Sequence, residues 1–370
     1  MDRGYMGKIL SVDLTEGRIQ AETIPDDVYE RYLSGLGLAS HILYSRIPAG
    51  ADPLGPENIL GFVSGLLTGT GSLFAGRWMV AGKSPLTGTW GDANCGGTFS
   101  PAIKRSGYDG IFFSGMSSRP VILYVKNGDP EILDASDLWG KDAVETEEIL
   151  KKRFGEHVAV ACIGPAGERL SLISGVCNDK GRLAARSGLG AVMGSKKLKA
   201  VVLDGRKRIG VHDRREVHRL SARCNRWVRT QLPLGPGTLM GLLGALLRVM
   251  PTVMAMDGYV YKNILRKWGT GGLNQMSPEW GDSPIKNWKG SNVDWPMRKS
   301  RSAHPDLVRR HEVFKYHCYA CPLGCGGICE YPGLGRGHKP EYETVLALGG
   351  LCMNEDTKSL FELNEYLNRA

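Results

Sequence analysis

Apolar and polar residues alternate from Gly7 to Ile19 around Thr15-Glu16-Gly17, which predicts a β-hairpin turning at Glu16-Gly17. Asp26–Leu36 reads as a helix, with Gly35 and Gly37 punctuating its end. Short β-rich runs separated by Gly and Pro follow at Ile59–Val63, Trp78–Ala81, Gly110–Ser114, Val121–Val125, Val158–Ile163 and Leu198–Leu203. Among them, Ala143–Phe154 has helical periodicity and charge pairs at helical spacing. From Val211 onward the texture changes. Arg214–Val228 and Asp356–Asn368 read as helices, and a loop-rich stretch carrying Trp268, Trp280, Trp288 and Trp295 lies between them. The expectation is an α+β protein: a sheet-dominated domain over residues 1–208, then a mainly helical domain over 209–370. The last helical pattern reaches Ala370 without a Gly or Pro stop, so the second domain reads as truncated.

Composition sharpens this picture in two places. Glycine supplies 50 of the 370 residues, about twice the usual share of roughly 7%. No G-X-Y period, internal repeat or low-complexity run accompanies it, so collagen-like and disordered readings fall away. The excess implies many tight turns, or backbone brought close to something bound. The net charge of +9 is unevenly spread: residues 1–205 carry 22 Lys/Arg against 23 Asp/Glu, and residues 206–370 carry 25 against 15. The basic part suits an acidic partner. Its arginine-rich run over residues 206–229 holds Trp227 as its sole aromatic and matches no nucleic-acid-binding motif, so a solvated helix face is the preferred reading. Met1-Asp2-Arg3-Gly4 leads into a strand-like stretch with no signal sequence. The uncharged segments Asn58–Gly76 and Thr230–Leu247 contain too much Gly, Ser, Thr or Pro to span a membrane. A cytoplasmic protein with neither nucleic acid nor membrane as partner is expected.

Nine cysteines, an odd number, argue against a disulfide framework. Four fall within twelve residues, in His317-Cys318-Tyr-Ala-Cys321-Pro322-Leu-Gly-Cys325-Gly-Gly-Ile-Cys329. The C-x2-C-x3-C spacing puts three thiolates on one tight loop. Structural zinc usually pairs two distant C-x2-C knuckles, and no second knuckle exists here. Iron–sulfur clusters commonly take closely spaced thiolates plus one more cysteine, so a cluster is favoured over zinc. Cys95, Cys162, Cys177, Cys224 and Cys352 read as isolated packing residues.

Singly, the glycine-rich stretches are turns more often than sites. In order they become specific: GR at 76–77, KSPLTGT at 83–89, ANCGG at 93–97, SGYDGIFFSG at 106–115, NDKGRLAARSGLGAVMGSKKLKAVV at 178–202, RKWGTGG at 266–272, CYACPLGC at 318–325 and KPEYETVLALGG at 339–350. This set resembles the aldehyde ferredoxin oxidoreductase family of tungsten (sometimes molybdenum) pterin enzymes, across essentially the whole chain.

The resemblance implies an N-terminal domain of two β-sheets forming a saddle for a tungsten bis-pterin, with magnesium bridging the pterin phosphates and a 4Fe-4S cluster beside it. Arg77, Asn94, Gly96 and Gly97 match one pterin-contacting segment, and Arg182, Leu183, Ala184, Ala185 and Arg186 the other. The carbonyls of Asn94 and of a residue near Leu183–Ala184 match the magnesium ligands. Cys318, Cys321 and Cys325 match the clustered iron ligands. The family's fourth lies in a downstream domain, and so do a further pterin-contacting segment and a histidine near the metal. Cys329 either closes the set locally or is an extra cysteine, the latter preferred. Glu343, with Glu341 as runner-up, matches the acidic residue near the metal, where a carboxylate can take the proton released as water adds to a carbonyl.

The implied activity is anaerobic oxidation of an aldehyde to a carboxylic acid, with electrons passing to ferredoxin or another carrier. The alternatives are the tungsten subunit of an aromatic acyl-CoA reductase complex and a non-catalytic, truncated iron–sulfur fragment. A homo-oligomer, or a partner chain supplying the remaining domain, is the expected assembly.

Overall fold

The computed structural model describes residues 3–249 and 258–370, so Met1 and Asp2 of the N-terminal reading lie outside the described residues. The chain divides into two compact units. One comprises Met1–Ser221, Cys318–Ala320 and Asn368–Ala370, and the other Ala222–His317 and Cys321–Leu367.

Two six-stranded sheets form the first unit. The first holds β1 (Lys8–Asp13), β2 (Arg18–Thr23), β3 (Leu60–Ser64), β4 (Trp78–Lys83), β5 (Trp90–Cys95) and β6 (Gly110–Ser114), in the order β2-β1-β6-β3-β4-β5. The second holds β7 (Val121–Lys126), β8 (Asp129–Asp134), β9 (Ala159–Cys162), β10 (Val176–Asn178), β11 (Arg182–Ala184) and β12 (Leu198–Asp204), in the order β11-β10-β9-β12-β7-β8. The predicted hairpin is β1–β2, antiparallel, with Asp13 opposite Arg18 at its closed end. Leu10, Val12 and Phe62 of the first sheet share one buried cluster with Leu123, Val125 and Val201 of the second, so the sheets pack face to face. The opposite faces are also covered. Ile9 and Val63 pack with Leu38 and Ile42 of the helix Leu36–Arg46, and Ile122 and Val160 with Leu150 of the helix Ala143–Phe154. Burial on both faces explains why the central strands read as continuous apolar runs rather than alternations.

The predicted helix over Asp26–Leu36 is two helices. The first ends at Tyr32, Leu33 turns left-handed (φ 59°), and the second runs over Leu36–Arg46. Gly37 is not a stop signal. It lies inside the second helix, where a Cβ would collide with the Tyr32 carbonyl.

The second unit is built of helices and one small sheet. Helices occupy Thr238–Val249, Gly258–Trp268 and Met276–Trp280, with a 3-10 turn at Gly269–Leu273. β13 (Glu312–Tyr316), β14 (Gly326–Tyr331) and β15 (Gly335–His338) form an antiparallel sheet that periodicity alone does not predict. The tryptophan-bearing stretch is not simply loop: Trp268 and Trp295 are fully buried, and Trp295 packs with Ile285, Val345 and Leu360. No helix among the described residues is long and apolar enough to cross a membrane.

Candidate functional site

β5 and β11 are edge strands of their respective sheets, and they approach one another. Ser84 Oγ donates to the Ser187 carbonyl at 2.8 Å, and Ser187 Oγ to the Asp92 carbonyl at 3.3 Å, which ties the loops beside the strands together. The seam gathers Arg77, Asn94, Gly96, Gly97 and Arg182–Arg186. Strand alternation decides what each presents. On β5, Ala93 and Cys95 enter the core and Asn94 faces solvent. Burial pushes the Cys95 thiol up to about 12, consistent with packing rather than chemistry. Arg77 holds Asn94 at two points, Nε to Oδ1 at 2.5 Å and Nη2 to the backbone carbonyl at 3.1 Å. On the other side Ala184 is buried, Arg182 and Leu183 are half-buried, and Ala185 and Arg186 are exposed. The seam thus carries the arginines Arg77, Arg182 and Arg186, the residue type whose forked donors suit phosphate groups.

Asn178 and Asp179, within the quoted NDKGRL run but given no role there, anchor this seam. Asp179 accepts from Thr98 N at 2.7 Å and Thr98 Oγ1 at 2.6 Å. Gly97 has φ +101°, and a Cβ there would collide with the Asp179 carboxylate. Asn178, fully buried, donates Nδ2 to the Gly96 carbonyl at 3.1 Å and accepts from Trp78 Nε1 at 3.2 Å. The signal for both residues was their place in the motif, but hydrogen-bond partners 80 to 100 residues away are not legible from spacing.

The segment Cys318–Ala320 belongs to the same unit. Tyr319 N donates to the Gly97 carbonyl at 3.0 Å, and Phe74 N to the Ala320 carbonyl at 2.9 Å. Gly76 is required here, since a Cβ would collide with the Tyr319 carbonyl. Cys318 Sγ accepts from Arg182 Nη1 at 3.1 Å. The glycines at 76, 96 and 97 are therefore already demanded by close approach of the chain to itself.

Cys321, Cys325 and Cys329 belong to the second unit. Cys321 and Cys325 are half-buried. His317 Nδ1 lies 2.9 Å from the Cys321 carbonyl, and the His317 ring fills the space a Cβ on Gly324 would need. Cys329 differs: it sits on β14 in a cluster with Val308 and Phe361, its Sγ faces the Val308 carbonyl, and burial pushes its thiol up to about 12. Among the described residues no three His, Cys, Asp or Glu side chains are drawn together as around a metal ion. The chemistry of the donor set nonetheless suits an iron–sulfur cluster. Three thiols on one loop stay outside the core, and one receives the charged hydrogen bond a thiolate accepts.

Glu341 and Glu343 flank the start of the helix Tyr342–Leu346. Glu341 is half-buried and accepts from Thr270 Oγ1, which in turn accepts from Tyr342 N at 3.1 Å. Glu343 is exposed. The RKWGTGG and KPEYETV runs thus meet at Thr270, and the Gly269 Cα packs against the Cys325 carbonyl where a Cβ would not fit.

Comparisons with known proteins place the chain in a family. Residues 9–205 match the family described as aldehyde ferredoxin oxidoreductase, N-terminal domain, and residues 252–370 match aldehyde ferredoxin oxidoreductase, domains 2 and 3. The chain is 36% identical over 364 residues to the tungsten-containing aldehyde ferredoxin oxidoreductase of Pyrococcus abyssi, covering 98% of this chain and 55% of that protein. It is 27% identical over 341 residues to the WOR-like subunit of an aliphatic sulfonate oxidoreductase of Pyrococcus furiosus, covering 87% and 49%. Among solved structures, a chain of the BamBC active-site complex of benzoyl-coenzyme A reductase, in complex with 1,5-dienoyl-CoA, matches with a TM-score of 0.81 at 30% identity. That match covers 100% of this chain and 53% of the other. The chain spans about half the length of the curated relatives it matches.

Proposed function

Because the chain belongs to the aldehyde ferredoxin oxidoreductase family, we propose that it serves a tungsten–pterin oxidoreductase that converts an aldehyde and water to a carboxylic acid, two protons and two electrons. A 4Fe-4S cluster held by the clustered cysteines would supply the electron path to ferredoxin or another electron carrier. The observation that carries this reading is the seam. Two edge strands present Arg77, Asn94 and Arg182–Arg186 together, and the first cysteine of the C-x2-C-x3-C run is hydrogen-bonded to Arg182.

Bound there, the pterin-held tungsten, or molybdenum, would supply the two-electron chemistry. Arg77, Arg182 and Arg186 would neutralise the pterin phosphates, and the carbonyls of Asn94 and of Leu183 or Ala184 would hold magnesium. Gly96 and Gly97 keep the backbone bare at the seam. Cys318, Cys321 and Cys325 ligate the cluster, and Cys329 is a core thiol. Glu343 takes the proton released when water adds to the carbonyl. Its exposure and the engagement of Glu341 by Thr270 support this order. The excess of basic residues over residues 206–370 suits an acidic electron carrier.

A second reading, an aromatic acyl-CoA reductase subunit, is favoured by the structural match of this whole chain to 53% of a chain of the benzoyl-coenzyme A reductase active-site complex. An anaerobic assay separates the two. Carrier reduction with short aliphatic and aromatic aldehydes supports aldehyde oxidation. Turnover of benzoyl-CoA with no aldehyde activity supports the second reading, and turnover of neither overturns both.

A further inference from the structure

We propose that Arg182 sets the reduction potential of the iron–sulfur cluster by donating a charged hydrogen bond to Cys318. The proposal rests on the reading of Cys318, Cys321 and Cys325 as cluster ligands. Arg182 Nη1 lies 3.1 Å from Cys318 Sγ across 136 residues of sequence.

Both ends of this contact are fixed. Arg182 opens β11 in register with Asn178 of β10, and fully buried Asn178 is held by Trp78 and the Gly96 carbonyl. Cys318 is held through its neighbours, since Tyr319 N bonds the Gly97 carbonyl and the Ala320 carbonyl accepts from Phe74 N. Gly96 lies between them: a Cβ there would collide with Cys318 Sγ and would stand 3.1 Å from Arg182 Nη1. The bond is therefore a product of three segments packed in register, not a surface arginine reaching for the nearest sulfur.

The consequence follows from charge. The cluster takes up and gives back one electron at a time, and the added negative charge spreads over iron, sulfide and thiolate sulfur. Hydrogen bonds to those sulfurs and nearby charge are recognised determinants of potential. A guanidinium on a ligand sulfur stabilises the reduced form more than the oxidised form, so it raises the potential. Arginine is suited to this because it stays cationic and presents its donors on a rigid fork, whereas lysine offers a point charge on a flexible stem.

The test is a redox titration of the full chain, prepared anaerobically with its cluster, followed by electron paramagnetic resonance of the reduced state. Arg182→Gln is expected to shift the reduced-to-oxidised equilibrium at least tenfold toward the oxidised form, about 59 mV lower for a one-electron couple. Arg182→Lys is expected to shift it in the same direction by less. Unchanged midpoints in iron-replete variants overturn the proposal and leave the cysteine assignment intact. If Arg182→Gln does not retain iron, the Arg182→Lys midpoint alone decides. Failure of the unsubstituted protein to bind iron overturns the ligand assignment, and the proposal with it.

Discussion

Trp78 and Asn178, 100 residues apart, meet in a buried hydrogen bond in which the indole Nε1 donates to Oδ1 at 3.2 Å. One residue belongs to β4 of the first sheet and the other to β10 of the second, and the same amide holds the Gly96 carbonyl at 3.1 Å. The contact therefore joins the two sheets directly beneath the seam.

Replacing Asn178 with Ala strands an indole N–H and a backbone carbonyl in the core. Each unsatisfied buried group costs about 1–3 kcal/mol, so a loss of about 2–4 kcal/mol is expected, read from the urea midpoint at constant slope. A loss below about 0.5 kcal/mol, the range of ordinary surface substitutions, would show that the contact does not hold the sheets together.

The four clustered cysteines separate into two classes. Ser at 318, 321 or 325 is expected to abolish most bound iron in anaerobically prepared protein. Ala at 329 is expected to leave the iron content unchanged and to lower stability modestly, since its Sγ packs with Val308 and Phe361. Loss of iron in Cys329→Ala would make it a ligand.

The first unit was largely legible. Its central strands read as apolar runs because they are buried on both faces, the first hairpin read from alternation, and the helix Ala143–Phe154 carried its own periodicity. The short strands were not legible. β10 and β11 have three residues each, and β5 (WGDANC) owes its pairing to β4 rather than to propensity. The helix Leu36–Arg46 was hidden by Gly37, whose missing Cβ serves close packing rather than termination. At the candidate site, the residue types and their order could be read, but the partnerships of Arg182 with Cys318 and of Thr270 with Glu341 are tertiary and leave no local pattern.

Lys196 gives a pH signature. It is fully buried, donates to the Gly115 carbonyl at 3.0 Å, and burial lowers it from the ordinary 10.5 to about 8. Below about pH 8 both native and unfolded chains hold the proton and the burial penalty is fully felt. Between about 8 and 10.5 the unfolded chain keeps a proton that the native chain has released, so this contribution to stability rises with pH. Unfolding midpoints across that window should rise more steeply in the natural protein than in Lys196→Met. Equal slopes would show that Lys196 stays charged in the folded chain.

Glu343 and Glu341 are distinguished by Gln substitution in metal-replete protein. A positioned proton acceptor typically contributes about 10²- to 10⁴-fold. Glu343→Gln is expected to lower kcat within that range with tungsten and iron contents unchanged. Glu341→Gln, whose carboxylate is engaged by Thr270, is expected to lower it less. The reverse order would exchange their roles.

The tungsten–pterin reading is tested most directly by elemental analysis of the anaerobically purified protein from cells supplied with tungstate. Tungsten and iron are expected together, at about four iron per tungsten for one 4Fe-4S cluster. Iron without tungsten or molybdenum, zinc in place of iron, or no bound metal would contradict it.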